Sequence, residues 1–240
     1  RALFNARALD AGRDARVRIA AVRALGRLPG AESAATLLKL LATPKLDDNL
    51  RLETVAAIGA AGDAASAEAL LDLLADEWPL MRSTALAAVA RLDPGNFTVV
   101  LSGLQPDPDW TVRAALARLV ASLPEDAARP RIEELRKDPD TRVHGAALAA
   151  AIQARLPEVD TWLRQALTGP ASAARGTAVA EIGRRRPEWG AAALREAYTA
   201  WASEPEYGAR AAVLNALGQY GPEAARETLV AALSDRDWAV

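Results

Sequence analysis

"DARVRIAAVRALG", residues 14–26, decides the fold. Within it Val17, Ala21, Val22 and Leu25 stand at relative positions 0, 4, 5 and 8, one apolar stripe on a helix with a period near 3.6. The outline returns as "DTRVHGAALAAA" at 140–151, and its opening returns as "DWAV" at 237–240. Residues equivalent to Val17 are Leu50, Met81, Val112, Val143, Ala174, Ala209 and Val240, at steps of 33, 31, 31, 31, 31, 35 and 31. One residue later come Arg18, Arg51, Arg82, Arg113, His144, Arg175 and Arg210. Three residues earlier come Asp14, Asp47, Asp109, Asp140, Glu206 and Asp237, with Trp78 and Ala171 as exceptions. Self-similarity at a fixed period of this size is the mark of a repeat architecture.

A second helix completes each unit. Twenty residues after position 0 the chain has Leu37, Leu70, Leu101, Ile132, Leu163, Leu194 and Leu229, all branched aliphatics. Between the two helices stand Pro29, Pro94, Pro124, Pro157, Pro187 and Pro222, several followed by Glu. Proline at the first helical position, with an acid beside it, suits a helix N-terminus. The acid before position 0 suits the N-cap of the other helix. No segment alternates with period two. The expectation is an all-α fold, an α-solenoid of about seven antiparallel helix pairs of roughly 12–15 residues per helix, each pair burying its stripe against the next. "TPKLDDN" (43–49) reads as a longer turn, and "REAYTAWASEPEYG" (195–208) as an outer helix extended by one turn. With no linker or composition shift, residues 1–240 read as one array.

Composition sets the bounds. Hydrophobic residues make up 51% of the 240 residues and aromatics only 5%, with alanine dominant, which suits closely packed helices. The net charge of −2 gives no global field toward nucleic acid or an anionic membrane. Without cysteine there is no disulfide, thiolate metal site or thiol nucleophile. No run approaches the roughly 18 apolar residues of a membrane span. The sequence begins inside a helical pattern at Arg1 and stops at Val240, on position 0 of an eighth unit. The stripe Leu229, Val230 and Leu233 looks prepared for a further neighbour. The expectation is therefore a piece of a longer repeat protein.

The outline Asp-x-x-Val-Arg-x-x-Ala-x-x-Ala-Leu-Gly, fullest in Asp14–Gly26 and partial in Asp47–Gly59, Asp109–Val120 and Glu206–Gly218, resembles HEAT repeats. It is most similar to the short bacterial HEAT-like units of about 30 residues that also occur in phycobilin lyases. The resemblance implies a concave surface lined by the second helix of each pair, and an Asp/Arg ladder between repeats. Carried over, the ladder is Asp14, Arg18, Asp47, Arg51, Arg82, Asp109, Arg113, Asp140, Arg175, Glu206 and Arg210. Trp78, His144 and Ala171 depart from it, which implies a weaker ladder around the third, fifth and sixth units.

With positions 0, 4, 5 and 8 facing the core, positions 3, 6 and 10 face outward on the supposed concave side. The candidate binding residues there are Arg23, Arg27, Arg91, Arg118, Gln153, Arg184, Asn215 and Gln219. Five arginines stand against one acid, Glu53, which favours an acidic peptide, protein face or phosphate; the competing reading is a solvated face in an arginine-rich chain. Trp78, Trp110 and Trp238, in the turns before these helices, either form an aromatic ridge for a partner or fill space between repeats. Trp162, Trp189 and Trp201 are expected to pack between units. His144 is expected to take the ladder slot that Arg fills elsewhere. "GRRRPEW" (183–189) closes a helix with cations that suit its dipole.

No Gly-rich phosphate loop, Gly-x-Ser-x-Gly elbow or patterned His/carboxylate ligand set is present, and the His-Glu pairs of HEAT-type deoxyhypusine hydroxylases are missing. No catalytic residue, cofactor or metal is expected. A basic face with interleaved aromatics is also missing, which disfavours the DNA binding of HEAT-like glycosylases. The expected function is a non-catalytic scaffold that holds a protein or peptide partner. The alternative is the repeat arm of a multidomain enzyme, lyase-like, glycosylase-like or fused to a module such as a peptidyl-prolyl isomerase.

Overall fold

Asp14, Asp47 and Asp140 each accept a backbone N–H from the first turn that follows, so the acids three residues before position 0 start helices. Asp109 accepts both the backbone N–H and the hydroxyl of Thr111, which hold its carboxyl below the ordinary range. Pro79, Pro94 and Pro222 sit at first helical positions, where their missing N–H is harmless. These starts generate the architecture seen in a computed structural model, which describes residues 1–204 and 207–237. Glu206, Trp238 and Val240, all singled out above, lie outside the described residues.

Among the described residues there are fifteen α-helices and no strand. The motif helices are α2 (Ala15–Gly26), α4 (Asp48–Ala61), α6 (Pro79–Leu92), α8 (Trp110–Val120), α10 (Thr141–Gln153), α12 (Ser172–Arg185) and α14 (Tyr207–Gly218). The partner helices are α1 (Ala2–Leu9), α3 (Ala31–Leu41), α5 (Ala64–Glu68), α7 (Pro94–Gly103), α9 (Glu125–Leu135), α11 (Val159–Thr168), α13 (Gly190–Ala200) and α15 (Pro222–Ala232). The chain is an all-α repeat fold. It forms two compact units, residues 1–119 and 120–240.

Within the first unit α2 stacks on α4 and α4 on α6, with α1, α3 and α5 on their flanks. Within the second, α10 stacks on α12 and α12 on α14, flanked by α9, α11, α13 and α15. In both units the motif helices meet one another far more extensively than the partner helices do. The stripe is the core of each unit: Val22, Leu25, Leu50, Val55, Ile58 and Met81 are completely enclosed in the first, as are Val143, Ala147, Ile182 and Leu217 in the second. Six of the seven aliphatics at position 20, from Leu37 to Leu194, are buried.

Three expectations need correction. Val17, at position 0 of the first repeat, is 41% exposed, because α2 has a motif helix, α4, on one side only. Leu229, at position 20, is 42% exposed, in keeping with a stripe prepared for a further neighbour: α15 packs on α13 and α14, and the face it shares with Val230 and Leu233 is open to solvent. The partner helix of the second repeat is broken, since α5 stops at Glu68 and a 3-10 turn runs over Leu71–Ala75. The helix at 195–208 is not extended: α13 ends at Ala200, the Trp201 ring drops into the core at 4% exposure, and Glu204 is set down beside Arg175. The extra residues serve that descent instead of another helical turn.

Candidate functional site

The arginine one residue after position 0 begins the site, because it separates structural cations from free ones. Arg82 donates to both carboxylate oxygens of Asp107 at 2.7 Å, and back to the carbonyls of Asp76 and Glu77 in its own turn. Arg51 donates to Asp76 at 2.8 Å. Arg210 pairs with Asp235 at 2.9 and 3.0 Å and donates to the Glu204 carbonyl; its side chain is fully enclosed. Arg175 donates to Glu204 at 2.6 and 2.8 Å and to the Gly169 carbonyl at 2.7 Å. Arg113 donates to the Asp107 carbonyl at 2.7 Å, and Arg18 to that of Ala8 at 3.0 Å.

The carboxylate partners therefore stand five residues before position 0, not three. Asp76, Asp107 and Asp235 each receive the arginine of the preceding repeat from 25 residues away. The same carboxylates also accept the backbone N–H two residues on, of Trp78, Asp109 and Asp237. The acids three residues before position 0 cap helices instead. Both acids lie in one turn, so the sequence does not announce which of them faces the arginine; the recurring Arg–Asp separation of 25 is the signal that finds it. His144 takes the arginine's place in part, its Nε2 donating to the Asp138 carbonyl at 2.8 Å.

The outward positions of the motif helices come next. In the first unit positions 6 and 10 hold Arg23, Arg27, Ala56, Ala60, Ala87, Arg91 and Arg118, all exposed. Arg23 pairs with Glu53 of the neighbouring helix, Nε to Oε2 at 2.9 Å, and that hydrogen bond raises the guanidinium's pKa and lowers the carboxyl's. Among the described residues Arg27, Arg91 and Arg118 pair with no carboxylate, and they share their outward face with exposed Ala56, Ala60 and Ala87. Arg16, Ile19, Ala20, Arg23, Ala24 and Arg27 line a shallow depression along α2.

The second unit differs. Its outward positions hold Gln153, Asn215 and Gln219, exposed and neutral, beside Ala149 and Ala180. Arg184 is tied to Glu181 at 2.6 and 2.8 Å, and Arg185 to Asp160 at 2.7 Å, so the basic run 184–186 is largely neutralised within its own unit. Arg136 lies over the Trp162 ring and Arg164 over the Trp189 ring, each at 3.9 Å, and Arg175 over the Trp201 ring at 5.1 Å. Of the turn tryptophans, Trp78 and Trp110 are half-buried at the starts of α6 and α8. Among the described residues no cluster of three or more His, Asp or Glu could hold a metal ion, and no helix is long and apolar enough to cross a membrane.

A family model described as HEAT repeats matches residues 5–90, 97–183 and 159–240. Among solved structures, the chain is similar to one from the complex of CpcE and CpcF of phycocyanin lyase from Nostoc sp. PCC7120. That similarity has a TM-score of 0.53 and 19% identity over 95% of this chain and 92% of that one, and it is a likeness of fold. No curated protein matches the sequence.

Proposed function

The chain belongs to the HEAT-repeat family, and from that premise we propose that it is a non-catalytic scaffold whose exposed motif-helix face binds an acidic protein or peptide. One observation carries this reading. In the first unit Arg27, Arg91 and Arg118 are exposed without a carboxylate, whereas Arg51 and Arg82 in the same unit are committed to Asp76 and Asp107. Free guanidinium groups on an alanine floor leave room for a partner's backbone and offer bidentate donors to its acids. The similar solved structure is a complex of two proteins, which agrees with a protein partner.

The test is capture of an acidic peptide library by the full chain, with Arg27, Arg91 and Arg118 changed together to Glu. Arg226→Glu, on the exposed surface of α15, serves as control. Capture is expected to fall at least tenfold in the triple variant, to survive in the control, and to weaken with salt, since exposed pairs are screened beyond about 8 Å at physiological ionic strength. Equal capture by the triple variant and the native chain would refute the reading.

A further inference from the structure

The second unit contains one place where the repeat is broken chemically and not structurally. Position 1 carries His144 where Arg is the rule, and 25 residues on, where the carboxylate partner belongs, stands Gly169. Two residues further the capping acid is replaced by Ala171, and α12 begins with no side-chain cap. The preceding turn of the same unit keeps both acids, Asp138 and Asp140, at these two slots. A pocket of about 120 Å³ lies at the break, lined by Arg136, His144, Trp162, Gln165, Gly169 and Ala171 among others.

Arg136 is the cation of this pocket. It stacks on Trp162 at 3.9 Å and donates to the Gln165 side-chain carbonyl at 3.0 Å, so its planar group is held in place by neutral neighbours. Burial pushes its pKa below the ordinary arginine value, and the charge of Glu133 only partly offsets that. His144 meets the same space with one ring nitrogen committed to Asp138. The remaining wall is apolar, with Leu148, Ala166 and Ala174. A half-buried cation without a carboxylate, beside a helix start without a cap, is a site that lacks an anion twice over.

We infer that this pocket is a receptor for a carboxylate, an aspartate or glutamate side chain from a bound protein or a small free carboxylate, which occupies the seat that Asp107 fills for Arg82 elsewhere in the chain. The apolar wall takes the methylene carbons, and Arg136 and the start of α12 take the charge. The site belongs to the second unit and does not depend on the arginine face of the first binding anything.

His144 is the sole histidine, so its ring resonances report on the pocket without further labelling. The full chain is titrated, while its ring signals are followed by NMR, with N-acetyl-glutamate amide, its glutamine counterpart, acetate and inorganic phosphate. The expected result is a saturable displacement by the glutamate derivative and none by the glutamine one. Affinity should fall at least tenfold in Arg136→Gln and in Gly169→Asp, the latter placing an internal carboxylate at the pocket. At Gly169 the backbone is extended, and an added Cβ comes no closer than 3.3 Å to the Gln165 carbonyl oxygen, so this variant should fold. Equal affinity for acetate and the glutamate derivative assigns the site to small carboxylates; a clear preference for the latter assigns it to a side chain. The inference is overturned by the absence of a saturable response to either carboxylate, by an equal response to the glutamine derivative, by preference for phosphate, or by undiminished affinity in Gly169→Asp.

Discussion

Replacing Gly59 with alanine adds one methyl group where two helices leave no room for it. Gly59 lies at position 9 of its repeat, and its added Cβ would fall 2.6 Å from the Ala88 Cβ and 2.8 Å from the Ala88 Cα. Carbon atoms rest at about 3.5–4.0 Å, so α4 and α6 must part by about 1 Å. Overpacking of this kind costs about 1–3 kcal/mol. The gain in helix propensity from glycine to alanine returns at most about 1 kcal/mol. Gly218 holds the same position in the last repeat, and nothing lies within 4 Å of its added Cβ. There only the favourable term operates. Because both variants make the same change in the unfolded chain, their difference isolates the helix contact. That difference is about 2 kcal/mol, or about 4–8 °C in Tm for a chain of this size. Gly26, whose Cβ would meet Ala57 at 3.2 Å, and Gly183, which would meet Ala216 at 2.9 Å, fall between the two. Thermal unfolding followed by circular dichroism should rank the alanine variants Gly218, Gly26, Gly183, Gly59 from most to least stable. A Gly59 variant that melts at or above the Gly218 variant would refute the claim that these glycines exist for close helix approach.

The other predictions concern the ladder and the stripe. The pair His144→Arg and Gly169→Asp restores the regular arginine–acid spacing, and a double-mutant cycle in urea should show a favourable coupling of about 0.2–1 kcal/mol; zero or unfavourable coupling counts against the ladder geometry. The Arg210 hydrogen bond holds the Asp235 carboxyl well below the usual carboxylate range. A lowered folded-state pKa means that this stabilisation is complete above the unfolded-state value, about 3.9, and is lost as pH falls toward the folded one. The stability gap between the native chain and Asp235→Asn should therefore shrink below about pH 4, and a gap constant with pH contradicts the assignment. Leu163→Ala, at a fully enclosed position, should cost about 2–5 kcal/mol, whereas Leu229→Ala, at the equivalent but 42% exposed position, should stay within about 1 kcal/mol. Equal losses would separate the repeat pattern from the core.

The stripe at positions 0, 4, 5 and 8 was legible because burial on a helix imposes a period, and a period survives without knowledge of the neighbours. Its exception was not: Val17 carries the right side chain, and only the packing around α2 leaves it open. The outward register was also legible, since positions 6 and 10 follow from the same geometry, yet charge at those positions was a poor guide. Arg23 and Arg184 look identical to Arg27 in sequence, but each is paired with an acid, Glu53 or Glu181, whose nearness depends on helix contact or local rotamer. The ladder was misplaced by two residues because a turn with acids at both slots gives each a plausible task. Glu204 was hidden further by the long step of 35, where Arg175 reaches it across 29 residues instead of 25.

The interrupted repeat shows why such a site can exist without unfolding the array around it. Cross-ties such as Arg82–Asp107 join one turn to the next, but they are half-buried ion pairs, and pairs of that kind stabilise little once desolvation is counted. The cohesion lies in the motif helices. At the break, α10 and α12 approach so closely that a Cβ on Gly145 would come within 2.9 Å of the Ala173 backbone, while Val143, Ala147 and Ala151 are completely enclosed. Loss of the tie at Gly169 and the cap at Ala171 therefore leaves the stack intact, and the pocket it opens is walled by Arg136, whose charge Glu133 offsets only in part. A regular repeat satisfies its own polar groups and has nothing to offer a ligand; a repeat that drops two acids while keeping its helix contact retains the fold and acquires an unmet demand for an anion.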